Sequence, residues 1–210
     1  MSTERPKPRW DATAARLAGR VAVLPPSLGH TRLITVDGVG GSGKTTFADA
    51  LAAHLGAAPV VRLDDFARPG DFFGWLSRLQ GQLLDPLALR QAARCDTYDW
   101  GGYRVDGYVE VPAAPVVVLE GVGAGRAELG AVSALRIWVD TPLDVATART
   151  LDRDGPGIAW FWRLWRAAES AHLARDRPWS RADVTVDGVT GEPTRTRSAR
   201  SPSSASTPAG

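Results

Sequence analysis

The stretch Leu33-Ile34-Thr35-Val36-Asp37-Gly38-Val39-Gly40-Gly41-Ser42-Gly43-Lys44-Thr45-Thr46-Phe47 decides the fold. Its apolar start predicts a buried strand, its glycines a sharp loop, and Phe47-Ala48-Asp49-Ala50-Leu51-Ala52 a helix. In that order, the spacing Gly38-x4-Gly43-Lys44-Thr45 specifies a phosphate loop. Gly38, Gly40, Gly41, Ser42 and Gly43 turn backbone N–H groups toward an anion, and the helix that starts near Lys44, Thr45 and Thr46 adds its positive end. Lys44 is expected on the outer phosphates of a nucleoside triphosphate, and the Thr45 hydroxyl on magnesium. The chain has only two lysines, Lys7 and Lys44, among its 25 basic residues, so a lysine here stands out against a composition that favours arginine.

At 210 residues, 44% apolar and 23% charged, the chain is sized for one globular domain with a substantial core. Its formal charge of +2 is about what Arg195, Arg197 and Arg200 against Glu192 supply, which leaves the body near neutral. Basic residues are spread along the sequence, so no nucleic-acid partner is expected. Cys95 has no second cysteine for a disulfide, and three histidines offer no zinc spacing. Met1 to Trp10 leads into no apolar segment, and no run approaches the roughly 18 residues that span a bilayer. A soluble cytoplasmic protein without a membrane partner is expected, and a homo-oligomer is compatible with the same composition.

Trp10, Ala14, Leu17, Val21 and Leu24 recur at helical spacing up to Pro25-Pro26, predicting an amphipathic helix within an N-terminal extension over 1–30. Five short apolar runs, at 31–37, 59–63, 116–119, 135–139 and 183–186, read as buried parallel strands. Helical segments between them predict an α/β three-layer sandwich around a five-stranded parallel sheet, the P-loop nucleoside triphosphate hydrolase fold, over 31–190. Within the insertion at 66–112, residues 71–93 read as helix interrupted at Asp85-Pro86, and Asp106-Gly107 reads as a hairpin turn. A lid is expected at about 149–160, where a helix carrying Arg149 and Arg153 stops at Gly155-Pro156-Gly157. Trp160, Phe161, Trp162 and Trp165 beyond it read as core or lid packing, and the segment 191–210 as a disordered tail.

Ligands of such sheets sit at the carboxyl ends of the strands. Asp64, after the second strand, is placed to accept a proton from a substrate hydroxyl. Glu120, after the third, is placed to hold magnesium through water, and Arg149 and Arg153 to offset charge on the moving phosphoryl group. Asp37 reads as a loop-stabilising residue, and Cys95 and His172 as structural.

The series Val36-Asp37-Gly38 through Thr46, Leu63-Asp64-Asp65-Phe66, Asp85-Pro86, Tyr98-Asp99-Trp100, Leu119-Glu120-Gly121-Val122, Val139-Asp140-Thr141, Arg149 to Asp154 and Ala182-Asp183-Val184 resembles the uridine kinase-like branch of P-loop kinases. That branch also includes phosphoribulokinase and bacterial pantothenate kinase. The resemblance implies an ATP- and magnesium-dependent kinase with Asp64 as catalytic aspartate, Glu120 as the magnesium-associated glutamate, and Arg149 and Arg153 as lid arginines. It places Asp85 at the ribose hydroxyls and Tyr98 at the base, and Asp65 and Asp99 beside them on the acceptor side. Ala67 departs from the tyrosine usual in uridine kinases, the lid is short, and no histidine stands near 102–104.

The expected partner is therefore a small-molecule hydroxyl acceptor, nucleoside-like first. Pantothenate or a sugar phosphate, or a nucleotide sensor without turnover, are the alternatives. A GTPase is disfavoured because the chain has no asparagine for a guanine-reading Asn-Lys-x-Asp stretch.

Overall fold

Trp10, Ala14, Leu17, Ala18 and Val21 form the buried stripe of α1 (Trp10–Ala22), the first element of the computed structural model, which describes residues 10–196. Then follow β1 (Arg32–Asp37), α2 (Lys44–His54) and β2 (Val60–Arg62). A short helical stretch comprises α3 (Leu76–Leu79), one wide π turn (Gln80–Leu84) and α4 (Asp85–Ala88). The chain continues with β3 (Ala93–Asp99), β4 (Arg104–Val111), β5 (Val116–Glu120) and β6 (Ser133–Asp140). It ends with α5 (Leu143–Asp154), α6 (Ala159–Asp176), β7 (Val184–Asp187) and β8 (Pro193–Thr196).

The main sheet runs β2-β5-β1-β6-β7-β8. Its first five strands are parallel, and β1 lies between β5 and β6, so the phosphate loop leaves the middle of the sheet. Alternation along the strands feeds two layers. Ile34, Val36 and Val118 point to the side covered by α1 and α2, where Phe47, Leu51 and Leu17 are buried. Leu33, Val117 and Leu119 point to the other side, under Trp75, Leu79, Leu83, Leu84 and Leu87. Each fully buried leucine in that layer contributes about 1.5–3 kcal/mol, enough for these short helical turns to be held by packing rather than by their own propensity.

Three expectations are corrected. The sheet has a sixth strand, because Pro193–Thr196 returns antiparallel along β7 from a turn in which Asp187 accepts the N–H groups of Val189 and Thr190. The rest of the predicted tail, 197–210, and residues 1–9 of the N-terminal extension lie outside the described residues. Asp106-Gly107 is not a hairpin turn. It is a bulge inside β4, where Gly107 has φ 86° and Thr97 donates to the Asp106 carbonyl at 2.5 Å. The turn is Trp100–Tyr103, because pairing Tyr98 with Val105 and Ala93 with Val111 puts the reversal there. Finally, the interruption foreseen at Asp85-Pro86 appears one turn earlier as the π turn, since Pro86 lacks an N–H and its ring would press on the Gln82 carbonyl.

No described helix is long and apolar enough to cross a membrane.

Candidate active site

The phosphate loop is shaped by what surrounds it. Gly41 and Gly43 hold φ 79° and 95°, and a β-carbon on Gly41 would stand 2.2 Å from the Ala146 carbonyl oxygen, on Gly43 2.9 Å from the Trp10 ring. Only glycine fits either place. Phe47 donates to the Gly43 carbonyl at 3.0 Å, so the N–H groups of Lys44, Thr45 and Thr46 lie ahead of the first helical hydrogen bond and face the loop. Asp37 secures the loop base, accepting the N–H groups of Gly38, Gly123 and Gly125 at 2.7, 3.0 and 2.9 Å. Burial pushes its carboxyl up to about 6, against the pull of those three donors and of Lys44. Asp37 thus ties the phosphate loop to the loop after β5.

Gly40, at the loop's apex, is gripped by α6. Its N–H donates to Glu169 Oε1 at 2.7 Å, its carbonyl accepts from Arg166 at 2.7 Å, and Arg166 and Glu169 are ion-paired. This clamp is absent from the sequence reading.

Beside the loop, Glu120 ends β5 in register with Val36 and Arg62. Both of its carboxylate oxygens accept from the Thr45 hydroxyl, at 3.2 and 3.3 Å, and Arg62 Nε lies 3.5 Å away. Its side chain is 3% exposed, and burial raises its pKa above the usual glutamate range, with Lys44 and Arg62 pulling the other way. A buried carboxylate and a hydroxyl that meet beside a phosphate loop are hard oxygen donors of the kind magnesium takes, the remaining positions being left to water and phosphate. No cluster of three metal-ligating side chains occurs among the described residues, so a site here is incomplete without those oxygens.

Two adjoining clefts open at the strand ends. One, of about 210 Å³, is lined by Gly40, Gly41, Gly43, Lys44, Thr45, Thr46, Asp64, Arg149, Arg153, Trp162 and Trp165. The other, about 310 Å³, lies between the β3–β4 turn and α6, with Trp100, Tyr103, Trp160 and Phe161 on its walls. Asp64, Arg153, Trp162 and Trp165 line both. The fold therefore gathers Asp64 from the turn after β2, Lys44 from α2, and Arg149 and Arg153 from α5 around one junction. Arg149 is bound to the Ser42 and Gly188 carbonyls at 3.2 and 3.0 Å, whereas Arg153, on the next turn, pairs with Asp154 at 2.7 Å.

The other acceptor-side candidates stand elsewhere. Asp85 accepts from Gln80, Asp99 caps the β3–β4 turn at Gly101, Tyr98 lies beneath the Arg68 guanidinium, and Asp65 is half-buried with its pKa raised by burial and by Asp64. None of these four lines either cleft. Trp160, Phe161, Trp162 and Trp165, read as packing, wall the second cleft instead. Cys95 is buried, with its thiol pushed up to about 12 by burial, and is structural. His172 is buried and stacked on Phe73 at 4.7 Å.

A phosphate loop on the central strand of a three-layer parallel sheet, with acidic residues ending the neighbouring strands, defines the P-loop kinase class. No protein-family model matches the chain. It is 30% identical over 154 residues to a cytidylate kinase of Haloquadratum walsbyi, covering 72% of this chain and 74% of that one. It is 28% identical over 144 residues to a uridine kinase of Ureaplasma parvum, covering 58% and 68%. Among solved structures, one described as a possible uridine kinase from Bacillus stearothermophilus superposes with a TM-score of 0.62 at 19% identity, over 84% of this chain and 98% of that one. The chain belongs to the uridine kinase-like branch of P-loop kinases and is a small-molecule kinase.

Proposed function

We propose that the protein is an ATP- and magnesium-dependent phosphotransferase that phosphorylates a hydroxyl of a small metabolite, with nucleoside-like alcohols as acceptors. The observation that carries this reading is the position of Asp64, which lines the cleft above the phosphate loop and the cleft beside it. An acceptor in the second cleft has its hydroxyl between the carboxylate and the outer phosphate. Asp64 orients that hydroxyl and takes its proton, a role worth about 10²–10⁴ in rate. Lys44 and the loop N–H groups hold the phosphates, and Arg153 and Arg149 offset charge at the transferred group. Thr45 and Glu120 would hold magnesium, which would offset the charge of the phosphates. The names of the relatives, a uridine kinase and a cytidylate kinase, support acceptors of nucleoside or nucleotide type.

The test is ADP release with magnesium-ATP against nucleosides, pantothenate, sugars and sugar phosphates, with Asp64→Asn in parallel. Acceptor-dependent turnover should drop by about 10²–10⁴ in Asp64→Asn while ATP affinity holds. Undiminished turnover in that variant removes Asp64 as the base.

A further inference from the structure

We infer that the protein carries a second ligand site, away from the two clefts at the strand ends, that takes a flat organic acid and is coupled to the phosphate loop. A cavity of about 910 Å³ lies between α6 and the sheet, over β6 and β7, and is larger than both clefts together. Trp138 and Thr185, neighbours in register, line it from the strands. The layer under Trp75 and Leu83 does not reach this end of the sheet. Trp138, Leu173 and Ala182 form a small cluster of their own there, with Val39 and Trp179 packed against it. Protein interiors leave few voids larger than a water molecule, whereas ligand pockets run to about 300–1,000 Å³ with apolar walls and a few polar groups.

The walls specify the ligand. The Trp138 and Trp179 rings stand with centroids 5.6 Å apart at 58°, an open wedge that offers ring faces to a flat body. Four charged side chains line the cavity: Asp140, Arg166, Glu169 and Arg177. Arg166 and Glu169 are paired with each other, and Asp140 accepts the Trp138 indole N–H at 3.3 Å. The exposed Arg177 guanidinium has no hydrogen bond or ion pair among the described residues, and the buried Nε of Arg166 has no hydrogen-bond partner. The open positions are therefore donors on cations, which an acid group fills. Asp140 repels that group and so turns it toward Arg177.

The same wall reaches the phosphate loop. Val39 lines the cavity while its carbonyl accepts the Ser42 N–H at 2.9 Å, and Arg166 and Glu169 hold the carbonyl and the N–H of Gly40. A ligand wedged between α6 and the sheet fixes the helix that clamps the loop. ATP and the ligand then each bind tighter in the presence of the other, by the same factor. This inference rests on ATP binding at the phosphate loop and not on the identity of the acceptor.

The experiment titrates the protein with anilinonaphthalene sulfonate, a flat aromatic acid that fluoresces in apolar sites, and with its uncharged analogue phenylnaphthylamine. The sulfonate should bind saturably and about tenfold tighter than the analogue, the worth of one charged hydrogen bond. Arg177→Glu should weaken the sulfonate by at least about tenfold. Ala174→Trp, at an exposed position on the cavity wall, should abolish its binding by filling the space, and Trp160→Ala in the aromatic-walled cleft should leave it unchanged. Saturating sulfonate should tighten ATP by at least about fivefold, and saturating ATP should tighten the sulfonate equally. Overturning results are no saturable binding, binding that survives both Arg177→Glu and Ala174→Trp, loss of binding in Trp160→Ala, or displacement of the sulfonate by ATP. Sulfonate binding that needs Arg177 but leaves ATP affinity unchanged would overturn the coupling to the phosphate loop.

Discussion

Glu169 accepts the Gly40 N–H at 2.7 Å across 129 residues of sequence, and the same carboxylate is ion-paired to Arg166, which donates to the Gly40 carbonyl. One helix thus walls the aromatic-lined cleft with its first turns and fixes the phosphate loop with the turns that follow. Glu169→Ala leaves the Gly40 N–H and a largely buried guanidinium without their partner. Breaking a buried pair from one side costs about 3–5 kcal/mol, which in a chain of this length lowers Tm by roughly 6–20 °C. The loop loses its fixed apex as well, so KM for ATP should rise about tenfold, a loss of one charge-assisted hydrogen bond. Glu169→Gln keeps an oxygen for Gly40 and should lose about half as much in both readouts. Calorimetry and ATP titration of the two variants check this. An unchanged KM for ATP in Glu169→Ala would show that the clamp is a packing feature only.

The Thr45 hydroxyl and the Glu120 carboxylate meet at 3.2 Å inside the sheet's carboxyl edge. If they hold magnesium, replacing Glu120 by Gln should raise the magnesium concentration for half-maximal turnover by about 10–100-fold, the usual effect of losing an oriented group at a metal site. Chelation with EDTA should abolish turnover in the parent protein, and added magnesium should restore it. A Glu120→Gln variant with the parent's magnesium dependence would place the ion elsewhere.

The phosphate loop was legible because its residues answer local needs: positive φ at Gly41 and Gly43, a helix start at Lys44, a buried apolar strand before it. Short apolar runs likewise announced the five parallel strands. β8 was not legible, since Pro193-Thr194-Arg195-Thr196 contains no apolar run and is a strand only because β7 offers a free edge. The Asp106-Gly107 signal was real but local, and it yielded a bulge once β3 and β4 paired over their whole length. Glu169 and Arg166, three residues apart on a helix, read like any solvated ion pair until the fold sets Gly40 between them. The aromatic-walled cleft did leave a trace. Trp160, Phe161, Trp162 and Trp165 occupy more than one face of a helix, which is more aromatic surface than packing on one layer requires.

Arg149 and Arg153 look equivalent at i and i+4, yet their environments separate their roles. Arg149 binds the Ser42 and Gly188 carbonyls, linking the phosphate loop to the β7–β8 turn, while the Arg153 side chain is 64% exposed and borders both clefts. Arg153→Ala should lower kcat by about 10²–10³, as for loss of a group that offsets transition-state charge, with little change in Tm. Arg149→Ala should cost about 1–3 kcal/mol of stability through its lost carbonyl contacts and raise KM for ATP. Steady-state kinetics and thermal unfolding of both variants distinguish them, and a kcat loss in Arg149→Ala alone would reverse the assignment.

Asp37 makes stability depend on pH in a direction opposite to most carboxylates. Its pKa rises from 3.8 to about 6 on folding, chiefly through burial, so between those values the folded chain keeps a proton that the unfolded chain has released. The unfolded state then binds fewer protons, and stability falls as pH rises through that window. The shift of about two units corresponds to about 3 kcal/mol, lost progressively from about pH 4 and completely above about pH 6. Asp37→Asn cannot titrate and keeps one oxygen for the N–H groups of Gly38, Gly123 and Gly125. Urea unfolding of both proteins at pH 4 and pH 7 isolates this contribution from those of the other acidic residues. The parent should lose about 3 kcal/mol more than the variant over that interval. Parallel pH profiles, or a parent that gains stability relative to Asp37→Asn as pH rises, would mean that the three N–H donors outweigh burial and hold Asp37 as a carboxylate throughout.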